Sequence, residues 1–244
     1  MLLKYKRISL KLSGEAMGYD EHTDKVKVGA IDFDKVERIA AQIKALHDLG
    51  VQVGVTLGGG NMWRGRTSGD MDRNRADQMG MLATVINSLA VQDVLCALGV
   101  PCVVMSMVDV PRMAESYASR NALAALDAGK VVIFAGGSGS PFFTTDTAAA
   151  LKACEMRADA LLLAKNIDYV YSADPRIDKN AVPYKHLSYK EVIDRELHAT
   201  DLTAITLCSE NHIPIIAFAM ADAENVLRAV KGEAVGTRID DQTD

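Results

Sequence analysis

Residues 131–164 read VVIFAGGSGSPFFTTDTAAALKACEMRADALLLA, and the class of fold can be read from this stretch. Val131 to Ala135 is a short apolar run that enters Gly136-Gly137-Ser138-Gly139, the pattern of a buried strand breaking into a turn. Thr145 to Met156 has the composition of a helix, and Ala160 to Ala164 is a second wholly apolar run. Buried strands separated by helices lie parallel, in a sheet covered on both faces.

The same alternation extends in both directions. Toward the N-terminus, Arg7 to Leu12 and Val51 to Leu57 read as strands, and Cys102 to Met107 as another. Asp34 to Leu49 places Val36, Ile39, Ala40, Ile43 and Leu46 at helical spacing before Gly50. A long helix is expected from about Arg75 to Leu98, with Leu82, Val85, Ile86 and Leu89 as one face, and Ser119 to Ala128 is a shorter one. Toward the C-terminus, residues 166–187 hold two prolines and several charges and read as loop with a short hairpin. Helices follow at Tyr189 to Leu197, Leu202 to Asn211 and Ala223 to Val230, with strands at Ile215 to Ala219 and Val235 to Ile239. The expectation is an α/β protein: a three-layer α/β/α sandwich with a mainly parallel central sheet. It is read as one domain over residues 1–244, with halves of about 1–135 and about 136–240.

Charge and composition limit what such a chain binds. The 27 Lys and Arg against 32 Asp and Glu give a net charge of −5, so no whole-molecule field draws DNA, RNA or an anionic membrane. Any phosphate must be gripped locally. Cys96, Cys102, Cys154 and Cys208 form no C-x-x-C pair and read as small buried hydrophobes in a reducing compartment. The five histidines show no metal-ligand spacing. Lys4, Lys6, Arg7 and Lys11 interrupt any signal-peptide core, and charge-free stretches such as Val94 to Val108 fall short of a membrane helix, so a cytoplasmic location is expected.

The chemistry gathers at strand ends, where open α/β sheets bind ligands. The chain has neither G-x-x-x-x-G-K-[ST] nor G-x-G-x-x-G. What it has first is Lys11-Leu12-Ser13-Gly14. A lysine leaving an apolar strand beside Ser-Gly either places its charge on a transferring phosphoryl group or snorkels from the sheet. The second feature is Gly58-Gly59-Gly60-Asn61 followed by Arg64, where bare backbone and a forked guanidinium suit an anion, although a triple glycine also makes a flexible turn. Arg66, Arg73 and Arg75 make this loop basic, mostly as solvated charge. The third is Gly136 to Asp146, where Thr hydroxyls and a helix N-terminus favour an anion. Asp146 there either orients a lysine or serves as a helix-start residue. Two glycine-rich exits suggest two bound phosphate groups, one from a donor and one from an acceptor.

These segments resemble the amino acid kinase superfamily, and within it the bacterial UMP kinases. The resemblance rests on Lys11 to Ala16, Gly58 to Asn61 with Arg64, and Asp77-Gln78-Met79-Gly80-Met81-Leu82-Ala83-Thr84. It continues through Pro141-Phe142-Phe143-Thr144-Thr145-Asp146-Thr147-Ala148-Ala149, Tyr171-Ser172-Ala173-Asp174-Pro175 and Asp201-Leu202, in family order over about residues 7–240. It implies the amino acid kinase-like fold, an acceptor-side N-half, an ATP-side C-half, and the reaction ATP + UMP → ADP + UDP with Mg²⁺. Carried over by motif, Lys11, Leu12, Ser13, Gly14, Gly60 and Arg64 meet ATP, with Tyr171 and Asp174 near its base. Whether Lys165 or Asn166 also faces ATP stays open. Gly59, Asp77 and the segment Ser138, Gly139, Ser140, Pro141, Phe142, Phe143, Thr144 and Thr145 hold UMP, with Asp77 accepting from its ribose hydroxyls. Lys11 neutralises the phosphoryl group in flight, Asp146 holds that lysine, and Asp201 assists. No protein side chain is expected to ligate the Mg²⁺ directly, which rides mainly on the ATP phosphates.

The resemblance further implies a homohexamer and feedback inhibition by UTP, while the net charge of −5 sets the expectation of no nucleic-acid or membrane partner. It does not extend to the Gly-Phe-Gly-Ile segment associated with GTP activation, because Met17 to Ile31 reads MGYDEHTDKVKVGAI. Trp63 stands where the family usually has a smaller aromatic. Two rival readings remain at this point: a same-fold kinase acting on a carboxylate or carbamate, and a non-catalytic nucleotide-binding protein.

Overall fold

The computed structural model describes residues 3–20, 27, 29–64, 69–197, 200–220 and 224–241. In chain order the N-terminal elements are β1 (Arg7–Leu12), a 3-10 turn (Gly14–Met17), α1 (Phe33–Asp48), β2 (Gln52–Leu57), α2 (Arg73–Ala97), β3 (Cys102–Ser106) and β4 (Glu115–Ser116). There follow α3 (Ser119–Asp127), β5 (Val131–Ala135), α4 (Thr145–Glu155) and β6 (Ala160–Lys165). The last third holds β7 (Val170–Tyr171), β8 (Pro183–Tyr184), β9 (His186–Leu187), α5 (Tyr189–Asp194), α6 (Leu202–Glu210), β10 (Ile215–Ala219), α7 (Asn225–Lys231) and β11 (Thr237–Ile239).

Nine strands form one sheet in the order β4-β3-β5-β2-β1-β6-β10-β11-β9. From β4 to β10 every neighbour is parallel, while β11 runs antiparallel to β10 and carries β9 parallel to itself. The hairpin expected within 166–187 is β7 with β8, antiparallel and outside the main sheet.

Strand alternation divides the core into two layers. Ile8, Leu10 and Leu12 of β1, with Val53, Val55 and Leu57 of β2, pack under α1, α2 and α7. Leu161 and Leu163 of β6, with Val132 and Phe134 of β5, pack under α3, α4, α5 and α6. Ser9 and Lys11 point to this second side, where Ser9 donates to the Ala149 carbonyl of α4 at 3.0 Å. Lys11 thus leaves the sheet on the face that α4 covers.

Three expectations need correction. On α2, Val85 is buried, but Leu82 and Ile86 are each 51% exposed. The inward face carries Met81, Thr84, Ser88, Val91 and Leu95 instead. Its polar members are satisfied locally, with Thr84 Oγ1 donating to the Met81 carbonyl and Ser88 Oγ to the Thr84 carbonyl, both at 2.7 Å. Apolarity therefore misreads the face. The helix is long and apolar enough by composition to cross a membrane, yet half of its most apolar window is buried in this fold. The cysteines are also not uniformly buried: Cys96 is exposed, with its Sγ 3.7 Å from that of Cys102. Burial, with Cys96 beside it, pushes the Cys102 thiol up to about 12. Finally, the last strand begins at Thr237, and its direction reverses that of the parallel block.

Candidate active site

The central strands β1, β2, β5 and β6 are neighbours, so their carboxyl ends open at one place. There the exits of β1 and β2 touch backbone to backbone. A Cβ on Gly58 would lie 2.7 Å from the Gly14 nitrogen, and one on Gly14 would lie 2.8 Å from the Gly58 carbonyl oxygen. Close approach, not a left-handed turn, is what requires glycine at these two positions. Asn87, fully buried on α2, fixes the arrangement by donating to the Gly58 carbonyl at 2.7 Å and to Asn61 Oδ1 at 2.8 Å.

A cavity of about 420 Å³ opens on these exits, lined by Lys11, Ser13, Gly14, Gly59, Gly60 and Arg64. Asp77, Ser138, Ser140, Phe143, Thr144 and Thr145 line it as well. Ser13 and Trp63 line the same space, and the Ser13 hydroxyl and the Trp63 indole nitrogen are buried without a hydrogen-bond partner among the described residues. An oxyanion would satisfy such donors. The Arg64 guanidinium rests on Glu15 at 2.5 Å with its side chain 61% exposed, at the rim of the same cavity.

Asp146 lies at the heart of the charge arrangement. Thr144 caps α4, its hydroxyl accepting from the Asp146 backbone nitrogen at 3.1 Å, which leaves the Asp146 side chain for other work. Its Oδ1 pairs with Lys11 Nζ at 2.7 Å and its Oδ2 with Lys165 Nζ at 3.0 Å. Thr200 donates to the same Oδ2 at 2.8 Å. Burial alone would raise the Asp146 pKa, but Lys11, Lys165 and the hydroxyl outweigh it and hold the carboxyl far below the usual range. Two lysines against one aspartate leave one cation in excess at a strand exit, which suits a phosphoryl group. Asp201, at the start of α6, takes the Thr144 hydroxyl and, at 3.1 Å, the Thr147 hydroxyl, so it buttresses the first turn of α4.

On α2, Asp77 accepts from Arg73 and from the backbone nitrogen of Phe142, each at 2.8 Å. Thr84 accepts from the Gly136 nitrogen at 2.8 Å and ties α2 to the β5 exit. Arg73 is therefore not a solvated charge, as the basic run suggested. Arg66 lies outside the described residues, as do residues 21–26 and 28 of the Met17 to Ile31 segment.

Lys165 and Asn166 diverge: the first pairs with Asp146, and the second lines a larger cavity of about 1300 Å³. That cavity shares Glu15 and Gly60 with the smaller one. Tyr171 and Asp174 line neither of these cavities, with the Tyr171 hydroxyl donating to Asp168 at 2.9 Å and Asp174 paired to Arg176 at 2.7 Å. Leu12 is buried in the core. Gly139, Pro141 and Phe142 belong to the segment over the cavity without lining it. Sequence reading missed Asn87 and Thr200, whose hydrogen bonds reach residues distant in the chain and which no local motif marks, and it gave Thr84, the last residue of the Asp77 to Thr84 segment, no role of its own.

A profile of the amino acid kinase family matches residues 6–219 of this chain. The uridylate kinase of Limosilactobacillus reuteri (strain DSM 20016) is 45% identical over 241 residues, covering 98% of each chain. Among solved structures, the UMP kinase of Bacillus anthracis superposes with a TM-score of 0.92 at 36% identity, covering 98% of this chain and 97% of that one. The UMP kinase of Ureaplasma parvum gives 0.88 at 34% identity, with coverage of 97% and 99%.

Proposed function

The chain belongs to the amino acid kinase family, among its uridylate kinases, and from that premise we infer that it transfers the γ-phosphoryl group of ATP to UMP, giving ADP and UDP. Pyrimidine nucleotide synthesis is the process such a reaction serves. The observation that carries the reading is the Lys11–Asp146–Lys165 cluster, set between two anion-suited exits of one sheet. Phosphoryl transfer asks for positioning and charge neutralisation and little else. Lys11 meets the phosphoryl group in flight, and Asp146 keeps its ammonium aimed there. Ser13, Gly14, Gly60 and Arg64 take the ATP phosphates. Gly59, Asp77 and residues 138–145 hold UMP, whose phosphate oxygen is already anionic at neutral pH and needs no general base.

The kinase family implies a divalent cation. The donor set at the transfer point is two lysines on one aspartate, and no three His, Cys, Asp or Glu side chains gather to hold a metal among the described residues. We assign the Mg²⁺ to the ATP phosphates, whose oxygens are hard ligands that suit it. On the same reading ATP approaches from the C-terminal half and UMP from the N-terminal half of a single domain. Tyr171, Asp174 and Asn166 flank the ATP base, while Lys165 supports the transferred group. A cytoplasmic homohexamer inhibited by UTP completes the proposal. An exposed apolar stripe on α2, Met79, Leu82 and Ile86, supports its assembly.

Lys11→Ala separates a kinase from a nucleotide-storage protein of the same fold. Turnover measured by ADP release should fall at least about 100-fold, with UMP affinity by calorimetry within about threefold of wild type. Equal loss of both would make Lys11 a structural residue and overturn the assignment.

A further inference from the structure

Asp77 spends one oxygen twice. Its Oδ2 accepts from Arg73 Nε and from the Phe142 backbone nitrogen, each at 2.8 Å. Its Oδ1 takes no hydrogen bond among the described residues, and the side chain lines the smaller cavity. Phe142 stands at φ 71°, a region that L side chains seldom adopt. The ring is 61% exposed, so core packing does not impose that backbone. Two contacts hold it instead: the carboxylate on its nitrogen, and the Arg73 guanidinium 5.6 Å from its ring centroid. Arg73, at the first turn of α2, joins both.

We propose that Arg73 is a positioning residue for acceptor selectivity. With the Phe142 N–H it turns the Asp77 carboxylate so that Oδ1 faces the acceptor ribose, while Oδ2 keeps residues 138–145 over the acceptor. One carboxylate thus reads the sugar with one oxygen and holds the covering loop with the other. A sugar with a 2′-hydroxyl gains a charge-assisted bond to an oxygen already aimed at it. A 2′-deoxy sugar leaves that bond unmade, and a site built around a hydroxyl discriminates strongly against its absence. The proposal rests on the reading of the chain as a UMP kinase. It differs from a direct role for Arg73 on the acceptor phosphate, in which both sugars would depend on the arginine equally.

The test compares UMP with dUMP in wild type, Arg73→Ala and Arg73→Lys at fixed ATP. Wild type should prefer UMP clearly. In Arg73→Ala, kcat/KM for UMP should fall about tenfold, mostly through KM, and that for dUMP less than about threefold, with the ATP KM unchanged. Arg73→Lys, which keeps the charge but loses the planar fork, should lie between them. The UMP:dUMP ratio is internal to each preparation and does not depend on the folded fraction. An unchanged ratio, an equal loss for both acceptors, or a wild type that does not distinguish them would overturn the proposal. A wild type that phosphorylates neither would contradict the kinase reading on which it stands.

Discussion

Asp146 does its work as a charge between two charges. The depressed pKa means that the carboxylate is bound more tightly in the folded chain than in the unfolded one. Its stabilisation is therefore complete above the ordinary carboxyl value of about 4 and is lost as pH falls below that toward the folded value. Asp146→Asn should lower the urea midpoint by a constant amount between about pH 5 and about pH 8, and the gap from wild type should narrow below about pH 4. It should also cut kcat at least about 100-fold, since Lys11 and Lys165 lose the group that holds them together. A midpoint gap that stays constant into the acid range would contradict this account. At this scale Lys11 and Asp146 were legible because a charged residue at an apolar strand's exit, or at a helix start, stands out. Arg73 was not, since its meaning depends on Phe142, brought to Asp77 only by the fold.

The elements explain why the site is where it is. A parallel sheet sends β1, β2, β5 and β6 out at the same edge, and the Gly14–Gly58 contact closes the first two exits to backbone distance. Gly58→Ala would put a Cβ 2.7 Å from the Gly14 nitrogen, so the two exits must part. We expect kcat to fall at least about tenfold while stability drops only about 1–3 kcal/mol, because misplacement at the reacting centre costs more than the strain itself. Wild-type turnover with the substituted protein would show that the contact does not set the geometry. The alternation of strands and helices was visible in the sequence, because buried parallel strands are continuous apolar runs. The inward face of α2 was not, because Thr84, Asn87 and Ser88 are buried with local partners that hydropathy cannot register.

Over the whole molecule, a net charge of −5 coexists with a site that gathers excess positive charge. On our proposal, the local grip on phosphate expected from composition takes the form of two lysines on one aspartate, with Arg64 held on Glu15. The same α2 that carries Asp77 inward turns Met79, Leu82 and Ile86 outward at 39%, 51% and 51% exposure. If copies of the chain assemble through this stripe, Ile86→Asp should lower the mass found by light scattering without unfolding the chain. An unchanged mass would place the contact elsewhere. The most direct test of the central claim is a coupled ADP-release assay with ATP and, in turn, UMP, CMP, glutamate and carbamate as acceptors. The account predicts that UMP gives the highest kcat/KM and that the carboxylate and carbamate give no turnover; a better acceptor than UMP would contradict it.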